Sequence, residues 1–184
     1  MQPQVEALIR EYIPHAPNMG LYVAPEIPKT KLGAAWDDYA GNVQRDDVLA
    51  LYDATRLGSG KDGALFLADR LVFQNNNLQT PRTIRYDDIV RVDAKRKLLG
   101  GRKVEIDVNQ GRATVTESID FSGRPDAAEY VERFLREAML ASPAKENDTE
   151  TDVTAVQLAL DRLVGDGLLA EEDRLRMLDV LAHK

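Results

Sequence analysis

The chain has 184 residues, 43% of them hydrophobic and 30% charged, enough for one ordinary domain with an appendage and a core of some size. Its formal net charge of −7 argues against a global attraction to nucleic acid or anionic membrane, while leaving a local basic patch open. Cysteine is absent, which excludes disulfides, thiolate metal sites and cysteine nucleophiles.

The first ten residues show neither a basic n-region nor an apolar h-region, so no secretory signal is expected. No apolar run approaches the roughly 20 residues of a membrane span. A soluble, cytoplasmic protein is expected. Val5, Leu8, Ile9, Tyr12 and Ile13 recur at helical spacing and predict an amphipathic helix that Pro14 and Pro17 stop. Met19 to Val23 is short, apolar and extended in character. A second helix is predicted from Pro28, with Leu32, Ala35, Trp36 and Tyr39 as its stripe and Gly41 as its stop. Trp36 is expected to anchor that helix on the core.

From Asp47 the period changes. Seven short strands are predicted, around 48–52, 64–67, 71–73, 83–86, 89–92, 104–108 and 113–119. The turn signals between them include Leu57 to Gly63, Asp69-Arg70, Asn75 to Asn77, Gly100-Gly101 and Asn109 to Gly111. Val104, Ile106 and Val108 alternate with charged residues, as in a half-exposed strand. Ala128, Val131, Phe134, Leu135 and Ala138 then mark one face of a helix opened by Gly123 and Pro125. Short strands followed by one amphipathic helix predict an α+β protein, a seven-stranded antiparallel barrel or sandwich capped by its last helix.

A polar linker at 142–151 leads to a leucine-rich, acidic tail broken at Gly165-Asp166-Gly167. The expected organisation is two packing helices at 1–41, the capped barrel at 42–141, the linker, and a helical hairpin at 152–184.

The stretch Leu21-Tyr22-Val23-Ala24-Pro25 through Lys29 to Ala35 resembles the lead-in of a bacterial pleckstrin-homology-like family. Leu49 to Thr55 followed by Gly58-Ser59-Gly60-Lys61-Asp62-Gly63, and Tyr86-Asp87-Asp88-Ile89, are similar to that family's strand and turn patterns. The tail is similar to bacterial helical hairpins of the SHOCT type, on Leu160 to Leu163, Gly167-Leu168-Leu169 and Glu171-Glu172-Asp173 before Leu175. Arg174, Arg176 and Met177 stand where that hairpin usually has an aromatic and lysines. These resemblances imply a bacterial origin, and binding or oligomer assembly in place of chemistry.

No catalytic set, cofactor site or metal site is read from the residues. His15 and His183 lack evident partners. Gly58-Ser59-Gly60-Lys61 lacks the spacing of a phosphate loop and leads into a strand, so it reads as a glycine turn. Lys103-Val104-Glu105 runs in the opposite order to a metal nuclease's Glu-x-Lys. The expectation is a non-enzymatic module.

Two surfaces are singled out. Lys95, Arg96, Lys97, Arg102 and Lys103 flank Leu98 and Leu99 at a predicted hairpin tip, a candidate contact with a partner or, weakly, with an anionic membrane. Cations also guard hairpin ends against aggregation, which is the plainer use of such a cluster. Val156, Leu160, Leu163, Leu168, Leu175 and Leu178 form stripes too short to be stable alone, a candidate surface for homo-oligomer assembly or for packing in cis. A protein partner or self is expected. Nucleic acid is not, because the basic cluster lacks interleaved aromatics.

Overall fold

The computed structural model describes residues 3–98, 100–141, 160–161 and 170–182. Helix α1 spans Pro3–Tyr12, and a 3-10 turn at Pro17–Met19 leads into strand β1, Leu21–Val23. Helix α2 spans Lys29–Asp38. Seven strands follow: β2 Ala50–Asp53, β3 Gly63–Phe66, β4 Arg70–Gln74, β5 Arg82–Arg85, β6 Ile89–Arg96, β7 Arg102–Asn109 and β8 Thr114–Asp120. Helix α3 spans Ala127–Ala141, and α4 spans Glu171–Ala182.

The strands form two antiparallel sheets, ordered β1-β2-β3-β4-β5 and β6-β7-β8. Neither closes into a barrel: of the expected seven-stranded barrel or sandwich, the structure shows an α+β body with two antiparallel sheets of five and three strands. The eighth strand is β1. Leu21 pairs with Tyr52 and Val23 with Ala50, so the lead-in occupies the outer edge of β2.

Period-two alternation explains the layering. Ala50, Tyr52, Ala64, Phe66, Leu71 and Phe73 face the main core, shared with Val104, Ile106 and Ile119 of the second sheet and with Val131, Phe134 and Leu135 of α3. Their neighbours Leu51, Leu65, Leu67 and Val72 face the other way, against Ala35 and Tyr39 of the α2 segment. The centre of the five-stranded sheet is therefore covered on both faces, with β2 and β3 buried at every position, while β5 at its edge is exposed at Arg82, Thr83 and Arg85. The second sheet keeps a solvated face, with Asp93, Glu105 and Ser118 side by side across it.

Helix α1 contacts α3 and sends Val5 and Ile9 into the main core, with Ile13 just past its end beside them. Phe134 is the centre of that core: its ring meets Phe66 and Tyr86 edge-on, each at 5.6 Å between centroids. Tyr52 stacks on Phe121 at 4.4 Å. Trp36 does not anchor α2. It is half-buried, and the Arg45 guanidinium lies 4.9 Å from its ring. Ala35 and Tyr39 hold the helix, because the stripe turns Trp36 toward the rim.

Residues Met1–Pro143 and Ala144–Lys184 are two separate compact units. The expected linker at 142–151 and most of the tail hairpin lie outside the described residues. No helix among the described residues is long and apolar enough to cross a membrane.

Replacing Phe134 by Ala removes the ring on which two other aromatics converge, and is expected to cost about 3–5 kcal/mol. Trp36→Ala, losing a rim contact, is expected to cost about 1 kcal/mol or less. Chemical denaturation of both variants checks the contrast.

Candidate functional site

The hairpin predicted around Lys95 to Lys103 exists: β6 pairs with β7 from Ile89↔Val108 to Arg96↔Arg102. A turn closes its tip, with the Lys97 N–H donating to the Gly101 carbonyl at 3.1 Å and the Gly100 N–H to the Lys97 carbonyl at 3.2 Å. Leu98 is wholly exposed and does not fold onto the core. Leu99 lies outside the described residues.

The hairpin's charge is largely spent within the molecule. Four of its five cations have acidic partners. Lys95 and Lys103 both reach Glu105, Lys103 at 2.6 Å. Lys97 Nζ donates to Asp120 Oδ2 at 2.8 Å and to Ser122 Oγ at 2.9 Å. Arg102 pairs with Glu129 at the start of α3. Hydrogen bonds from Lys103 and Lys95 hold the Glu105 carboxyl below its ordinary range. Those from Arg102 do the same for Glu129. For Asp120, burial pushes upward, but Lys97 and Ser122 outweigh it and the carboxyl is held low. These exposed pairs add little stability. Their consequence is that Arg96 is the member of the cluster left without an ion pair among the described residues.

Asp120 ties the hairpin to the rest of the fold. Its N–H donates to Asn75 Oδ1 at 2.8 Å, and Asn75 Nδ2 donates to the Ser118 carbonyl at 2.8 Å, so the end of β4 is pinned to the open edge of β8. Gly101 packs so closely on Ser122 that an added Cβ would lie 2.7 Å from the Ser122 Cα. Arg124 reaches the Thr55 carbonyl at 3.5 Å. The segment 120–124 thus touches the loops 54–62, 75–81 and 97–101, which gather at one end of the body.

A second polar cluster lies at the base of the loop 54–62. Asp53 is completely buried. Its Oδ2 accepts from Lys31 Nζ of α2 at 2.6 Å. Its Oδ1 accepts from the Thr55 N–H at 3.0 Å, the Thr55 hydroxyl at 2.5 Å and the Gly60 N–H at 3.2 Å. Lys31 also donates to the Gly58 carbonyl. Burial pushes the Asp53 carboxyl up, but Lys31 and Thr55 outweigh it and hold it below the usual range. The phosphate-loop-like run 58–61 is therefore a turn. Gly60 sits at φ 79°, where a side chain would meet the Lys31 backbone, and its amide is committed to Asp53.

The remaining expected positions are dispersed. His15 accepts from the Val23 N–H at 3.4 Å, with Glu26 3.3 Å from its Nε2, a local surface tie. His183 lies outside the described residues. Lys103 and Glu105 form an ion pair with each other. In the tail, Leu160 is buried, Leu178 is half-buried, and Arg174 Nε donates to Asp161 Oδ1 at 2.6 Å. Leu175 falls within α4, its side chain outside the described ones. Val156, Leu163 and Leu168 lie outside the described residues altogether.

Sequence reasoning passed over Lys31 with Asp53, which lie far apart along the chain, and over Leu57 and Leu78. A leucine amid Thr-Arg-Leu-Gly-Ser-Gly or Asn-Asn-Leu-Gln was the available signal, since turn corners ordinarily carry polar residues. No family model, curated protein or solved structure matches the chain.

Asp53→Ala leaves Lys31 half-buried without its partner and is expected to cost about 3 kcal/mol. The folded carboxyl titrates below its unfolded value of about 3.9, so its contribution is present above that pH and is lost as pH falls through the lower folded value. Asp53→Asn is accordingly expected to flatten part of the acid limb of stability against pH, read by denaturation across the acid range.

Proposed function

We propose that the chain is a non-catalytic binding and scaffolding module of a bacterial cytoplasm that self-associates through its C-terminal helical unit. The observation that carries this reading is the separateness and size of that unit, Ala144–Lys184. Units near or below about 40 residues rarely bury enough surface to stand alone, and usually draw on disulfides, metals or oligomerisation. This chain has no cysteine. Helix α4 is only 12 residues long, which is marginal for an isolated helix in water. Met177 on it stays half exposed, apolar surface for a second copy to cover.

The body suits a pleckstrin-homology-like reading. Without β1, the strands run as four and then three, followed by α3 across the core. On that reading α1, β1 and α2 are additions, and α2 covers a sheet face that a bare module would leave open. A binding role in place of chemistry is supported by Asp53, the most deeply buried carboxylate among the described residues, whose two oxygens are both engaged by the chain's own donors.

Size-exclusion chromatography with light scattering on the full chain, and on a chain ending at Ala141, tests the assembly. A multiple of the monomer mass that falls to the monomer on truncation is the expected result. A monomeric full chain would remove the proposal.

A further inference from the structure

Three leucines stand fully in solvent on the body: Leu57 at 95%, Leu78 at 92% and Leu98 at 104% exposure. Single exposed leucines are ordinary. These three share two features. Each sits at the corner of a hydrogen-bonded turn: Gly58 N–H to Thr55 O at 3.2 Å, Gln79 N–H to Asn76 O at 3.0 Å, and Gly100 N–H to Lys97 O at 3.2 Å. And the three loops that carry them all meet the segment 120–124, at one end of the body.

The charge around them follows the same pattern. The chain is acidic overall, and most of its described cations are spent on nearby carboxylates. At this end Arg56, Lys61 and Arg96 are exposed and make no ion pair with the described residues. Arg56 directly precedes Leu57, and Arg96 lies two residues before Leu98. Arg56 and Arg96 therefore sit beside two of the leucine tips without an ion pair among the described residues, although Arg96 also acts on Glu129 of α3, while Lys61, on the same loop as Leu57, lines a recess with Asp37 and Asp38 of α2.

We propose that this end docks on an anionic lipid bilayer, with Leu57, Leu78 and Leu98 entering the boundary between headgroups and acyl chains and Arg56, Lys61 and Arg96 meeting the headgroups. The form of the surface favours a bilayer over a protein. A protein interface wants a contiguous apolar centre. Here the ground between the tips is polar, made of Asn75, Lys97, Ser122 and Arg124, which hydrated headgroups can satisfy while separate apolar tips sink past them. Anionic lipid supplies the matching charge, and each cation near such a surface adds attraction that salt screens.

The same geometry predicts no headgroup selectivity. In the loop 58–61 the Ser59 amide donates to the Thr55 hydroxyl at 2.7 Å and the Gly60 amide to Asp53. Those amides are not available to a phosphate. Charge density, not headgroup identity, sets the binding.

Flotation of the full chain with phosphatidylcholine vesicles, with and without phosphatidylserine, tests this. Binding is expected only with the anionic lipid, falling as salt rises, and equal for an inositol phospholipid at matched charge. The variant Leu57→Ser/Leu78→Ser/Leu98→Ser is expected to bind at least about tenfold more weakly, with its thermal unfolding unchanged because those side chains touch nothing. Arg56→Glu/Lys61→Glu/Arg96→Glu is expected to abolish the anionic preference. No vesicle binding at low salt, undiminished binding of the leucine variant, or binding confined to the inositol lipid would each overturn the proposal. Both variants leave the C-terminal unit intact, so their mass by light scattering stays that of the parent whether or not the tail assembles.

Discussion

Strands with no solvent face must be covered twice. Every residue of β2 and β3 is buried, so both sides of the five-stranded sheet need an apolar neighbour. On one side the three-stranded sheet and α3 bring Ile106, Ile119, Val131 and Phe134; on the other α2 brings Ala35 and Tyr39. At about 1.5–3 kcal/mol for each large apolar side chain buried, losing either cover would cost an amount comparable with the net stability of a domain this size. The segment before β2 is therefore structural. It closes the outer layer, and through β1 it also takes the edge that would otherwise be open to another chain.

The buried pair of Lys31 with Asp53 belongs to the same constraint. It fastens α2 to the end of β2 and, through Thr55, Gly58 and Gly60, shapes the loop that follows. A buried ion pair is poor evidence of stability in itself, because desolvation offsets much of its attraction. Its value here is positional. With Asp53 as the hub, Arg56 and Leu57 are held outward at a turn corner, and the glycines that look like a phosphate cradle have no amide to spare.

Charge is distributed in a comparable way. Glu105, Asp120 and Glu129 take up four of the five cations of the β6–β7 hairpin and join it to α3 and to the second sheet's edge. Arg96 at the end of β6 and Arg56 on the loop 54–62 make no ion pair among the described residues, and each lies beside a leucine that the core has no use for. The proposed assembly through the tail and the proposed docking through the loop end use opposite kinds of surface. The first is a short helical unit in need of cover, the second a set of isolated apolar tips set in polar ground. A scaffold that multiplies a weak lipid contact would gain avidity from several copies, since each further contact is made at high effective concentration.

Residue pattern alone determined the helices at 3–12, 29–38 and 127–141, all seven strands after Asp47, and the turn character of 58–61. Those are local matters, settled by hydrophobic period and by glycine and asparagine at the turns. It also marked the hairpin tip and its five cations. Tertiary structure alone decided the rest. Leu21 to Val23, extended by its own pattern, gained a pairing partner because β2 offered an edge. Trp36 went to the rim because Ala35 and Tyr39 fit the second core. The cations of the hairpin were mostly neutralised because Glu105, Asp120 and Glu129, from three different elements, came within reach. Leu57, Leu78 and Leu98 became one surface only when three loops met at residues 120–124. Sequence distance hides such meetings, because burial and charge pairing depend on which segments become neighbours, and that is fixed by packing across the whole body.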